Sequence, residues 1–279
     1  MRRDFVGILS RKWWLMCFVT ALIAACEPAP TPFPVDVPVT PTATLSPTEI
    51  PPINYGLAPN TNGLIAELDT IQTNVNLTQA TEDISASEPG SVFDIVAGYG
   101  EYAGWSRSEI LPRVMLVIHP TLQPMTPEYA AIIRQRIYAE GIVTAINIPG
   151  TTILQSVSTP DIPSLRQSLA NQGRPDGLRV AVAHAYVPGV DTVVAQLASI
   201  NVEARVVKLT NDEIRVGFEN GDIHMALVTW TSEEEQQRWH DLFGQEFTMD
   251  LFTLPISYSA VDGLTISLTA GGWPLPRRS

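Results

Sequence analysis

The chain has 279 residues, 45% of them hydrophobic, and carries 17 basic and 29 acidic side chains for a formal charge of −12 at pH 7. That length suffices for one sizeable domain or two small lobes. The acidic balance repels phosphate backbones and argues against nucleic acid as a partner.

Residues 1–25 read as an export segment. Arg2, Arg3, Arg11 and Lys12 form a basic start, and Trp13 to Ala25 is an apolar run of 13 residues. A bilayer span needs about 20, so the run suits a signal peptide. It ends in Leu22-Ile23-Ala24-Ala25-Cys26, which resembles the lipobox of bacterial lipoproteins. The resemblance implies lipidation of Cys26 and a membrane anchor on the outer face of the cytoplasmic membrane. Arg2-Arg3-Asp4-Phe5 also resembles a twin-arginine signal, so either export route is open. Cleavage before Cys26 removes four bases and one acid and leaves a charge of −15, with Cys26 the sole cysteine. An intramolecular disulfide and a thiolate metal cluster are then both excluded. Residues 26–52 form a linker in which nine of the 23 prolines fall, with five threonines, a composition that favours a stiff, solvated polyproline spacer.

The folded domain is expected over residues 53–279. Ile53 to Ala58 reads as a strand, and Asn60 or Thr61 can cap a helix with Leu64, Ile65, Leu68 and Ile71 on one face. Val75 and Leu77 suggest a second strand, and Phe93 to Tyr99 a third. Val114 to Ile118 is a short apolar strand. Thr126-Pro127-Glu128 opens a helix that Gly141 ends, Ile142 to Val157 reads as β-prone and irregular, and Asp161 to Gln172 is a further helix.

Leu178 to Trp230 is the most regular stretch. Leu178, Val180 and Val182 alternate as in a strand; Val190, Val193, Val194 and Leu197 recur at helical spacing; Val202 to Leu209 is again β-branched. Thr210 and Glu213 make a capping box, Asn220-Gly221 a left-handed stop, and Ile223 to Trp230 an almost wholly apolar strand. Strands and helices alternating in this way predict a parallel sheet with right-handed crossovers. The weaker repeat over residues 53–99 suggests a second such unit, hence an α/β fold of two lobes built from βαβ units: 53–118, then 119–260, with 261–279 as a C-terminal return. Ser232 and Glu235 form another capping box, Leu251 to Tyr258 a last core strand and Leu264 to Leu268 an edge strand.

The succession LANQGRPDG, LRVAVAH, VEARVVKL, TNDEIRVGFENGDIHMALVTW and LFTLPISYSAV, preceded by IIRQRIYAEGI, resembles the C-terminal lobe of bacterial extracellular solute-binding proteins of the peptide/nickel-binding family. The resemblance spans Met125 to Ala260, and its most specific pieces are Pro175-Asp176-Gly177 and Asn220-Gly221-Asp222; His224 stands where that family usually has an acid. It implies a type 2 periplasmic-binding fold with a ligand cleft between lobes, at the carboxyl ends of strands, where ligands of open α/β sheets generally bind.

Candidate ligand contacts at those ends are Tyr99, Tyr102, Thr229, Trp230, His184 and Tyr186. Asn60 opens the first helix, where free amides can meet an anion, and Trp105 is a candidate exposed aromatic. For Tyr99 and Trp230 the competing reading is ordinary packing, and for His184 a satisfied strand-end imidazole. The four histidines have no metal-ligand spacing, and no nucleophile elbow, P-loop or dinucleotide fingerprint occurs. No cofactor and no catalysis are expected. The implied function is capture of a small or peptide-like solute for an ABC permease; the alternative is a surface lipoprotein using the same scaffold as a ligand sensor or protein-interaction module without transport.

Overall fold

A computed structural model describes residues 51–58, 74–79, 92–155, 158–174 and 177–278. The signal segment, Cys26, nearly all of the linker, the helix expected after Asn60 and the Pro175-Asp176 pair lie outside the described residues. Two five-stranded mixed sheets and a terminal hairpin organise the rest.

The first sheet grows from β1 (Ile53–Leu57), β2 (Val75–Gln79) and β3 (Ile95–Tyr99), all parallel, with β1 between the other two. Every residue of β3 is buried, as its unbroken apolar run requires of a strand covered on both faces. β4 (Ser106–Arg107) lies at the sheet's far edge.

The second sheet repeats this arrangement with β6 (Leu178–His184), β7 (Val202–Lys208) and β8 (Met225–Trp230), again parallel with the first strand in the middle. β6 and β7 are joined by α4 (Val190–Ala198), and β7 and β8 by α5 (Asn211–Glu219), whose capping box forms as expected: Glu213 N–H donates to Thr210 Oγ1 (3.3 Å) and Thr210 N–H donates to the Glu213 carboxylate (2.8 Å). The next helix, α6 (Glu233–Phe243), departs slightly from its predicted box. Ser232 caps the Glu235 amide, but the Glu235 carboxylate accepts from Thr231 N–H and Oγ1, one residue earlier.

Each sheet is completed by a strand from the far side of the molecule. β5 (Arg113–Ile118), read from sequence as the end of the first lobe, pairs antiparallel with β8 and with β9 (Thr248–Thr253) in the second sheet. Its alternation explains the choice: Val114, Leu116 and Ile118 face the main core, while Met115 and Val117 face Ile214, Phe218 and Trp239. The single last strand expected over Leu251 to Tyr258 is two strands. Pro255, which lacks an amide donor, separates β9 from β10 (Ile256–Ala260), and β10 returns to pair with β3 in the first sheet. The expected all-parallel sheets are therefore mixed. The chain crosses between lobes twice, and the crossings are tied together: Gly100 N–H donates to Pro255 O (2.7 Å), Ser108 N–H to Ile256 O (2.8 Å) and Leu254 N–H to Pro112 O (2.8 Å).

Two further expectations change. The helix expected from Thr126 to Gly141 is α1 (Pro127–Arg136) and α2 (Ala139–Ile146), so the first part of the segment read as β-prone is helical. A buried glutamine from α4 makes the break: Tyr138 N–H donates to Gln196 Oε1 (2.9 Å) and Gln196 Nε2 donates to Tyr138 O (3.1 Å). The Gln196 amide thereby replaces the acceptor that a continuous helix would have given Tyr138 N–H, while Tyr138 O still accepts from Ile142 N–H (3.3 Å). α3 (Ile162–Asn171) is the expected helix, capped by Asp161. At the C-terminus, β11 (Leu264–Leu268) pairs with a strand the sequence concealed, β12 (Pro274–Arg278), and Tyr55 Oη donates to Pro274 O (3.1 Å) to bind this hairpin to the first sheet.

Two histidines staple the end of the second sheet remote from the inter-lobe crossings. His119 Nδ1 accepts from the amides of Thr121 and Leu122, and His224 Nδ1 accepts from Ala181 N–H (3.0 Å), which leaves its Nε2–H to donate to Gln123 O (3.0 Å). Both rings act as acceptors only when neutral. Burial, and then the proximity of His224, hold the His119 pKa below its ordinary value. A histidine with a depressed folded pKa contributes stability that is complete above the unfolded value, about 6.5, and is lost as pH falls through the folded value. The melting temperature should therefore fall between pH 7 and 5, and His119→Asn, whose Oδ1 can accept the same two amides at any pH, should flatten that fall. Identical pH profiles for the two proteins would refute the assignment.

Candidate functional site

The carboxyl ends of β3, β6 and β8 and the crossing segment before β5 meet around a cleft of about 580 Å³. Its second-lobe wall is Ala185 and Tyr186 after β6, Thr210, Asn211 and Asp212 at the start of α5, Thr229 and Thr231 around the end of β8, and Glu235 and Arg238 on α6. The opposite wall is Tyr99, Pro112, Gly271 and Trp273. One wall is polar and the other aromatic. The rings of Tyr99 and Trp273 lie 5.0 Å apart, tilted by 58°, and both residues are almost fully buried, so little of either ring is open to the cleft.

Many of the polar groups already have partners within the wall. Asn211 Nδ2 donates to Thr229 O (2.8 Å) and its Oδ1 accepts from Thr229 N–H (3.4 Å), which locks the start of α5 against the end of β8. Arg238 pairs with Glu234 one turn earlier at 2.5 Å. Asp212 has no hydrogen-bond or ion-pair partner among the described residues.

Of the residues singled out from sequence, Tyr99, Tyr186 and Thr229 come together on this cleft. Tyr186 holds a left-handed backbone (φ 57°), uncommon for a residue with a side chain, and Lys208 Nζ sits 4.5 Å from its ring centroid. Tyr102 and Trp105 form a separate pair, rings 5.0 Å apart. Tyr102 Oη donates to Tyr99 O (2.7 Å), and Trp105 packs half-buried against Ala58 and Val96 rather than standing exposed.

Trp230 is buried at 3% exposure; its Nε1 donates to Asp250 Oδ1 (3.1 Å) and the Arg113 guanidinium lies 4.7 Å from its ring. It lines a second hollow of about 490 Å³ with Glu109, Arg113, Glu233 and Gln236. His184 lines a third, of about 290 Å³, with Tyr186, Asp191 and Lys208. Burial and then the Lys208 charge lower its pKa, against a smaller opposing effect of Asp191. Asn60 lies outside the described residues.

A substrate-binding protein from Microbacterium hydrocarbonoxydans, solved with 4-hydroxybenzoate hydrazide, superposes on this chain with a TM-score of 0.53 at 9% identity, over 75% of this chain and 60% of its own. The chain has the substrate-binding-protein fold. The pheromone receptor PrgZ, solved for its mode of peptide binding, matches with a TM-score of 0.49 at 9% identity over 74% of this chain and 57% of its own. A dipeptide-binding protein from Pseudoalteromonas sp. SM9913, in complex with Met-Leu, matches at 0.48 and 11% over 70% and 55%. This chain thus spans about 60% or less of the length of these structures. No protein-family model and no curated protein matches the sequence.

Within the substrate-binding-protein fold, the sequence reading missed Asn211, Asp212, Thr231, Glu235, Arg238, Pro112 and Trp273 as cleft residues. The two capping boxes carried a usable signal. A helix that starts directly after a strand's carboxyl end puts its first turn at the switch-point crevice, and this is where Thr210–Asp212 and Thr231–Glu235 stand. Trp273 had no local signal, since the terminal hairpin alone brings it beside Tyr99.

Proposed function

We propose that the protein is a lipid-anchored, extracytoplasmic solute-binding protein. It takes a small, peptide-like solute into the 580 Å³ cleft, as the substrate-capture component of an ABC importer or a derivative of one. Binding is by closure of the lobes and involves no chemistry. The observation that carries this reading is a cleft of ordinary ligand size at strand carboxyl ends, beside two hydrogen-bonded crossings that can serve as a hinge. Cys26 is the proposed anchor and residues 26–52 the spacer. A second reading is a ligand sensor or interaction module on the same scaffold without transport, since many of the polar groups on the cleft wall are already bonded to one another.

A thermal-shift screen of the purified chain against peptides, amino acids, sugars, oxyanions and divalent metals tests it. A solute at one hundred times its dissociation constant adds about 2.7 kcal/mol, which raises the melting temperature of a domain this size by several degrees. A flat response across the panel, from protein that melts cooperatively, would favour the scaffold reading.

A further inference from the structure

The charges around the cleft are unbalanced. α5 opens with Asp212 and Glu213, and α6 with Glu233, Glu234 and Glu235. A helix start favours acids because its free amides act as roughly +0.5 of a charge, so two such starts offset only about one of these five carboxylates. The arginines near the cleft are committed: Arg238 to Glu234 (2.5 Å) and Arg215 to Glu219 (2.9 Å). Arg113, at the neighbouring hollow, lies over Trp230 and shares that hollow with Glu109 and Glu233. Asp212 and Glu235 thus face the cleft with Arg238 as its one lining cation among the described residues, itself paired. Lys208 lies over the ring of Tyr186 on the cleft wall, and Arg113 over Trp230 at the neighbouring hollow.

We propose that the solute held in this cleft carries a net positive charge on amine or guanidinium groups, met by the carboxylates of Asp212 and Glu235. This rests on the reading of the cleft as a solute site. A cleft with one sign of charge and low-dielectric walls concentrates counter-charged solutes and raises their association rate. An anionic solute would meet the Asp212 and Glu235 carboxylates and, among the described residues, find no unpaired guanidinium on the cleft wall.

The test is titration calorimetry of the full chain with trilysine, spermidine, trialanine and triglutamate at low and at physiological salt. Trilysine and spermidine should bind, more weakly as salt is added, and triglutamate should not. Asp212→Asn, which leaves the Thr210–Glu213 capping box in place, and Glu235→Gln should each weaken trilysine at least tenfold. Absence of binding by both cations overturns the proposal, as does affinity unchanged in the two variants. Equal binding of trialanine or triglutamate overturns it too, and leaves the solute-site reading intact provided that Thr229→Trp, which places a large ring on the cleft wall, weakens the signal. Binding that is unchanged in Thr229→Trp overturns the solute-site reading itself.

Discussion

Trp273→Ala should lower the stability of the folded unit by about 3–5 kcal/mol, the usual cost of emptying a buried aromatic site. At roughly 2–4 °C per kcal/mol for a unit of this size, the melting temperature falls by about 10 °C. Trp273 is 3% exposed, packs its ring on Tyr99 and closes the turn before β12, where its amide donates to Thr269 Oγ1 (3.0 Å) and its carbonyl accepts from Thr269 N–H (2.8 Å). Those main-chain bonds survive the substitution, so the loss measures the ring. The same ring is part of the cleft wall, so any solute that stabilises the native chain should stabilise the variant less. Trp273→Phe retains an aromatic against Tyr99 and should recover a large part of both effects. A melting temperature within a degree of the native value would show that the terminal hairpin is not part of the cooperative core.

Gly177→Ala is the second large effect, and it acts through backbone. Gly177 has φ +95°, and a β-carbon there would stand 2.1 Å from the carbonyl oxygen of Asn201. That oxygen accepts from Leu178 N–H (3.0 Å), the first bond joining β6 to the turn before β7. Alanine must leave its backbone region, at about 1–3 kcal/mol, and must also push two chain segments apart where the parallel register begins. The expected loss therefore exceeds the strain alone, and the variant should melt well below the native chain with hydrogen exchange rising first in β6 and β7. Gly173→Ala is the control. Its φ is +81°, yet a β-carbon there meets nothing within 4 Å, so it should show the strain without the clash. Equal losses for the two variants would mean that the contact with Asn201 contributes nothing.

Gly177 also shows how far the sequence could be read. It ends the Pro175-Asp176-Gly177 motif, one of the most specific pieces of the family resemblance, and the structure supplies a physical reason for a glycine there. The unit from Leu178 to Trp230 was legible because each element rests on contacts near in sequence: alternation along β6, helical spacing in α4, the capping box of α5. Of the stretch from Ile53 to Tyr99, the described residues show the expected strands β1, β2 and β3. The strand order common to both, with β1 between β2 and β3 and β6 between β7 and β8, is not set by those local signals and comes from the structure.

Elements set by distant partners were not legible. Nothing between Thr126 and Gly141 announces a break at Tyr138, because the group that makes it, Gln196, lies on another helix. The cleft divides in the same way. Tyr99, Tyr186 and Thr229 follow from the rule that ligands meet strand carboxyl ends, whereas Trp230 satisfies the same rule and is instead tied into the packing by Asp250 and Arg113.

By itself, then, the amino-acid sequence determined the strand–helix alternation from Leu178 to Trp230 with the capping box of α5, the strands β1 to β3, and an acidic, two-lobed α/β chain, because hydrophobic period and capping chemistry act over a few residues. The tertiary structure alone decided which sheet receives β5 and β10, how the terminal hairpin brings Trp273 to Tyr99, and which carboxylates face the cleft. These depend on side chains far apart in the chain meeting across a core, and no local pattern encodes the meeting.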